Sequence, residues 1–262
     1  MSLAPRLEAG PGAPPREELQ RMSLLEHLEE LRQRLVRALL AVFVAFLGCW
    51  YWADDIFRFL AQPIYRYLPP GRKLTFLGVT DPFVLYMKVA ALMALFLAWP
   101  VVLYQAWRFI APGLYRNERR YALPFVVFGT LFFVAGALFA YYVAFPFAVQ
   151  FLLDVGQDFE ANVTVDRYFR FLLTVILGLG VLFELPILIV VLSLVGVVTP
   201  RLLLRHFRWA VLGIFVLAAV ITPTPDVFNL CLFALPTILL YLLGVGTAAL
   251  LIPRRSTGAT GS

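Results

Sequence analysis

Residues 171–198 read FLLTVILGLGVLFELPILIVVLSLVGVV, 28 positions that hold a single ionisable side chain, Glu184. About 20 apolar residues in a row suffice to cross a hydrocarbon core about 30 Å thick as a helix, whereas a membrane strand would show alternation over about ten. This run does not alternate. Lipid offers backbone N–H and C=O groups no partners, so the stretch has to satisfy them internally as a helix. Five further apolar segments accompany it: Leu35–Ala53, Phe83–Tyr104, Tyr121–Leu153, Trp209–Ile221 and Val227–Ile252. The sequence therefore predicts an all-α polytopic membrane protein with six transmembrane helices. With 61% hydrophobic and 15% charged residues over 262 positions, the chain lies far outside soluble averages.

Of the 22 Arg and Lys residues, fifteen fall in the N-terminal segment through Arg37, the 105–120 loop, the 199–208 loop and the C-terminal tail, and six fall in the intervening loops. By the positive-inside rule both termini are cytoplasmic. Lys88, the remaining one, sits about a turn inside the second segment, where it is expected to snorkel outward. The net charge of +6 is dispersed over loops without a basic run, which argues for topology and against nucleic acid as a partner. Residues 1–21 read as a disordered tail, 22–252 as the membrane domain and 253–262 as a C-terminal tail. The first 25 residues carry no apolar core of a cleavable signal peptide, so the first span is expected to direct its own insertion.

The outer loop 54–82 mixes Ile56, Phe57, Phe59, Leu60 and Ile64 with charges, as a short interfacial helix broken at Pro63 would. The 154–170 loop is acidic, and its Asn162 sequon is read as chance. The fifth segment has 13 uninterrupted apolar residues, which reach only about 20 Å as a helix. The turn Thr222-Pro223-Thr224-Pro225-Asp226 then ties it to the sixth segment in a tight hairpin. Cys49 and Cys231 lie in apolar runs and read as packing residues.

Three groups of side chains carry possible chemistry. Glu184 is the one acid near the middle of a span, which places it in a bundle interior, either as a protonated group bonded to backbone freed by Pro186 or as a polar point on a transport path. Glu26, Glu29 and Glu30 crowd one turn before the first span, with Arg32 three residues after Glu29 and Arg34 four after Glu30, spacings that permit intrahelical ion pairs. In the 105–120 loop, Glu118 follows Asn117, a possible N-cap, or shares a surface with Glu30, where two carboxylates could each take a guanidinium. No P-loop, metal-ligand spacing or nucleophile motif is present, so neither a cofactor nor an enzymatic activity is expected.

Taken together, His27-Leu28-Glu29-Glu30-Leu31-Arg32, Phe109-Ile110-Ala111-Pro112-Gly113-Leu114-Tyr115 with Glu118-Arg119-Arg120, Phe183-Glu184-Leu185-Pro186 and the turn ending Pro225-Asp226-Val227-Phe228 resemble TatC, the multispanning receptor component of the twin-arginine protein translocase. The resemblance implies a cupped six-helix bundle in the bacterial inner membrane, without enzymatic function. It implies docking of the twin-arginine signal peptides of folded precursors at Glu30 and Glu118, with Arg32, Phe109 and Arg119 shaping the site. It further implies TatA and TatB as single-span partners meeting Glu184, homo-oligomers within the complex, and drive by the proton motive force. Pro223, Pro225 and Asp226 form a hairpin turn longer than the family's usual one. The competing expectation is a proton-coupled small-solute transporter using Glu184, which should show internal repeats that are not evident here.

Overall fold

The computed structural model describes residues 24–65, 74–111, 122–158, 163–222 and 226–251. The two tails, Asn117, Asn162, Glu118, Arg119, Pro223 and Pro225 lie outside the described residues, and with them the expectations placed there.

Ten α-helices form the described structure: α1 (Leu24–Tyr51), α2 (Ala53–Tyr65), α3 (Asp81–Ile110), α4 (Ala122–Phe139), α5 (Phe145–Val155), α6 (Val165–Leu182), α7 (Leu185–Leu194), α8 (Pro200–Arg205), α9 (Phe207–Ile221) and α10 (Val227–Leu251). A π-helical turn, Ala140–Ala144, joins α4 to α5. Five stretches are long and apolar enough to cross a membrane: Glu26–Tyr51, Asp81–Ile110, Ala122–Val155, Val165–Leu194 and Val227–Leu251. The sixth, Phe207–Ile221, has 15 residues and so measures only about 22 Å, in line with the shortfall expected from its sequence.

Local chemistry accounts for three departures from the sequence reading. First, the 165–194 span is not one rod. Phe183 and Glu184 form a turn between α6 and α7, because Pro186 cannot donate to the carbonyl four residues back and its ring disfavours an uninterrupted helix there. Second, α2 is not broken at Pro63 but continues through it to Tyr65. The carbonyl that Pro63 leaves without a helical donor is that of Phe59, and it accepts the Tyr141 hydroxyl at 2.5 Å, while the Tyr168 hydroxyl donates to the Leu60 carbonyl at 3.2 Å. Nor does α2 merely lie on the surface: Leu60, Ala61, Pro63 and Ile64 are buried, and Phe57 stacks on Phe169 with centroids 5.2 Å apart. Third, Lys88 does more than snorkel. Its Nζ lies 2.9 Å from Asp166, which also takes Arg170 at 2.9 Å, so the cation is neutralised by a carboxylate on the neighbouring helix.

The core is centred on α6, whose Leu172, Val175 and Leu179 are fully buried. Glycines let its neighbours approach closely, the usual device where no hydrophobic drive separates helix from lipid. A Cβ on Gly136 of α4 would stand 2.7 Å from the Leu179 carbonyl, and one on Gly244 of α10 would stand 2.7 Å from Cα of Pro186. At the outer end, the loops before α3 and before α6 are tied by Val165 N–H donating to the Thr75 carbonyl at 2.9 Å. Asp226 caps α10 there, accepting the Asn229 N–H at 2.7 Å. At the opposite, cytoplasmic end, Trp107 of α3 and Val191 of α7 are buried together against Phe125 of α4.

Helix α1 stands apart from that core. It rests on α3 through a small-residue seam of Cys49, Ala90 and Ala94, with Ala53 just beyond its end, while Leu35, Leu39, Leu40, Phe43 and Leu47 remain exposed, facing lipid. The two cysteines are free, with Cys49 buried in this seam.

Candidate functional site

The α1–α3 pair carries the cytoplasmic cluster. The two helices run antiparallel, and their cytoplasmic ends are fixed against each other by His27 stacked on Phe109, with centroids 4.5 Å apart and planes at 23°. With 3.6 residues per turn, His27, Glu30 and Arg34 share one face of α1, and Phe109 and Gln105 share one face of α3. Since the ring pair joins those two faces, Gln105 lies level with the interval between Glu30 and Arg34.

Glu30 accepts from Arg34 Nη2 at 3.0 Å, and the two side chains are 18% and 13% exposed. A pair so poorly hydrated is screened far less than an exposed one. It also leaves polar atoms over: Arg34 Nε and Nη1 and Gln105 Oε1 are buried with no hydrogen-bond partner among the described residues. By contrast, Arg32 is 76% exposed and reaches Glu29 at 3.7 Å. Two positions from Glu30 on the helix, it points about 200° away. Of the five residues expected at the peptide site, the structure thus brings Glu30 and Phe109 onto facing helix surfaces and turns Arg32 elsewhere, and Glu118 and Arg119 lie outside the described residues. His27, Arg34 and Gln105 are the additional members. Their signal was present as the spacing of His27, Glu30 and Arg34 at i, i+3 and i+7, and of Gln105 and Phe109 at i and i+4.

Glu184 forms a second, separate polar point. Its Oε1 accepts the indole N–H of Trp99 at 2.7 Å, so its partner is a side chain of α3 and not the backbone freed by Pro186. Trp99 is itself fixed by stacking on Phe133, with centroids 3.9 Å apart. On the other side, Gly129 of α4 leaves room for the carboxylate, since a Cβ there would come within 3.2 Å of Oε2. Trp99 precedes Phe109 by ten residues, which puts Glu184 about 15 Å deeper along α3 than the cytoplasmic cluster. No grouping of three or more possible metal-ligating side chains occurs among the described residues.

The family model for "Sec-independent protein translocase protein (TatC)" matches residues 26–236. The chain belongs to the TatC family. The TatC of Koribacter versatilis is 46% identical over 241 residues, which cover 91% of this chain and 89% of that protein. The TatC of Escherichia coli K12 is 38% identical over 223 residues, covering 85% and 86% respectively. A crystal structure of the twin arginine translocase receptor TatC superposes with a TM-score of 0.74 at 36% identity, spanning 86% of this chain and 99% of the other. The six-helix architecture is therefore that of TatC, and the break at Glu184 and the short α9 belong to a multi-pass component of a protein translocase. The family sets aside the small-solute transporter reading of Glu184, and it is a transport component and not a catalytic enzyme.

Proposed function

We propose that this TatC binds the twin-arginine signal peptide of folded precursors at the cytoplasmic rim of the α1–α3 pair and gathers the single-span subunits TatA and TatB for export across a bacterial inner membrane. The observation that carries the reading is the placement of the Glu30 carboxylate, only 18% exposed, on the helix face opposite Phe109. A guanidinium docking there exchanges water for a charge-assisted, forked contact in a poorly hydrated setting, which favours Arg over the point charge of Lys. Glu118 and Arg119, in the loop that follows α3, supply the second carboxylate and its neighbour in this proposal. Arg32, exposed and turned away, acts at most through long-range charge. Glu184, deeper and held by Trp99, is the intramembrane contact for a partner helix. The protein acts as several copies within the complex and uses the proton motive force, with no cofactor.

The test is fluorescence-anisotropy titration of a twin-arginine peptide onto the purified chain in detergent micelles. Glu30→Gln and Glu118→Gln are each expected to weaken binding by about tenfold or more, and exchanging the peptide's arginine pair for lysines is expected to reproduce the loss. Affinity unchanged in both variants would refute the assignment.

A further inference from the structure

Arg34 is the least expected member of the cytoplasmic cluster. Its Nη2 is occupied by Glu30, but among the described residues its Nε and Nη1 are buried with no acceptor, and Gln105 Oε1, on the helix face opposite, is buried with no donor. The great majority of buried polar side-chain atoms in folded proteins find partners. Here two unmet donors and one unmet acceptor occupy neighbouring levels of two packed helices, beside a carboxylate that already has its cation. Holding Glu30 accounts for one nitrogen of Arg34 and leaves the others unexplained. Arg34 and Gln105 are not bonded to each other, so a ligand that meets both at once brings an acceptor for the first and a donor for the second. A lipid phosphate brings acceptors only and would leave Gln105 unmet, whereas an extended peptide presents a C=O and an N–H at every residue.

We propose that Arg34 and Gln105 form a main-chain clamp for the docked signal peptide: a backbone carbonyl beside the arginine pair accepts from Arg34, and a backbone N–H donates to Gln105 Oε1. The proposal rests on the receptor reading above and adds to it the part of recognition that does not depend on side chains. The clamp fixes the register of the peptide along the α1–α3 rim, so that only a chain with its guanidinium at one set position meets Glu30. Arg34 thereby has two tasks, orienting the Glu30 carboxylate through Nη2 and holding the peptide backbone through Nε and Nη1.

Backbone-ester peptides test this. In each member of a series, one amide N–H near the arginine pair is replaced by an ester oxygen, which removes a single donor and leaves every side chain unchanged. Binding is measured by anisotropy to the full-length chain in micelles and in nanodiscs with and without phosphatidylglycerol. One ester position is expected to weaken binding to the parent protein by about tenfold, and Gln105→Leu is expected to weaken the all-amide peptide by a similar factor. The two losses should not add. Arg34→Lys, which keeps the charge beside Glu30 but lacks the planar fork, is expected to lower affinity while preserving the preference for arginine over lysine in the peptide. The clamp is overturned by an ester series that binds uniformly, or by an ester loss that persists undiminished in Gln105→Leu. It is also overturned if Arg34→Lys has an effect only in nanodiscs containing the anionic lipid, the mark of a headgroup phosphate at Arg34. A flat ester series together with a weakened Glu30→Gln variant removes the clamp alone. Failure of Glu30→Gln to weaken binding removes the receptor reading beneath it. Because the ester series is read on the unaltered protein, a folding defect in either variant does not blunt the test.

Discussion

The Trp99–Glu184 contact yields the sharpest energetic prediction. Trp99→Phe removes the indole N–H that stands 2.7 Å from Glu184 Oε1 but keeps an aromatic ring to stack on Phe133, so the change isolates one hydrogen bond. Interhelical hydrogen bonds in membrane proteins average about 0.6 kcal/mol and reach about 1.7, and bonds to charged groups contribute about 1.5–3 kcal/mol. The 2.7 Å separation lies at the short end of the N–H···O range, and the space over Gly129 gives the carboxylate no other described donor. A coupling energy of about 1–2 kcal/mol is therefore expected between the two side chains. The assay is a double-mutant cycle of Trp99→Phe, Glu184→Ala and the double variant, read by reversible unfolding in mixed micelles of a mild detergent and dodecyl sulfate. In the Glu184→Ala background, Trp99→Phe should cost little beyond its lost packing. Losses that add to within about 0.5 kcal/mol, as independent sites do, would refute the contact and with it the account of why the break between α6 and α7 faces α3.

Two further outcomes follow from the packing. Tyr141→Phe removes the hydroxyl that serves the Phe59 carbonyl, and the unmet carbonyl should cost about 1–3 kcal/mol. Faster proteolysis or amide exchange confined to α2 is the readout, and unchanged protection of α2 would contradict it. Gly244→Ala drives a Cβ against the Pro186 backbone, which unlike a flexible side-chain tip cannot yield. The α7–α10 contact should open at a cost of about 1–3 kcal/mol, seen as a lower melting temperature in detergent, whereas Gly246→Ala, with no neighbour near its Cβ, should melt as the parent does.

The spans were legible because lipid reduces the question of secondary structure to one of apolar length: each apolar segment longer than 18 residues in the sequence falls on one of the five helical stretches long enough to cross a membrane, even where Phe183 and Glu184 interrupt one of them. What composition could not supply was how a helix carries on past a proline or stops before one. Pro63 and Pro186 look alike in sequence, yet Tyr141 and Tyr168 support the helix end around the first, and among the described residues no tyrosine hydroxyl donates to the backbone around the second. Glu30 and Phe109 were visible as site residues through family resemblance, and Glu184 through the rarity of an acid in a span. Arg34 was visible only as half of an ion pair, and Gln105 as one more polar residue at a span end. Their unmet atoms emerge only when α1 and α3 are laid side by side, since hydrogen-bond satisfaction belongs to a pair of helices and not to a string of residues. Lys88 illustrates the same point, because its counter-ion Asp166 lies 78 positions away.

The near-isolation of α1 bears on how the protein is made. Its seam is completed by α3 and the start of α2, so once residue 110 has left the ribosome every described residue of that seam has been made. The α1–α3 pair includes Glu30, Arg34, Gln105 and Phe109. The part of the proposed recognition face that α1 and α3 supply is then in place before the second half of the chain exists, and only Glu118 and Arg119 remain to be added from the sequence that follows.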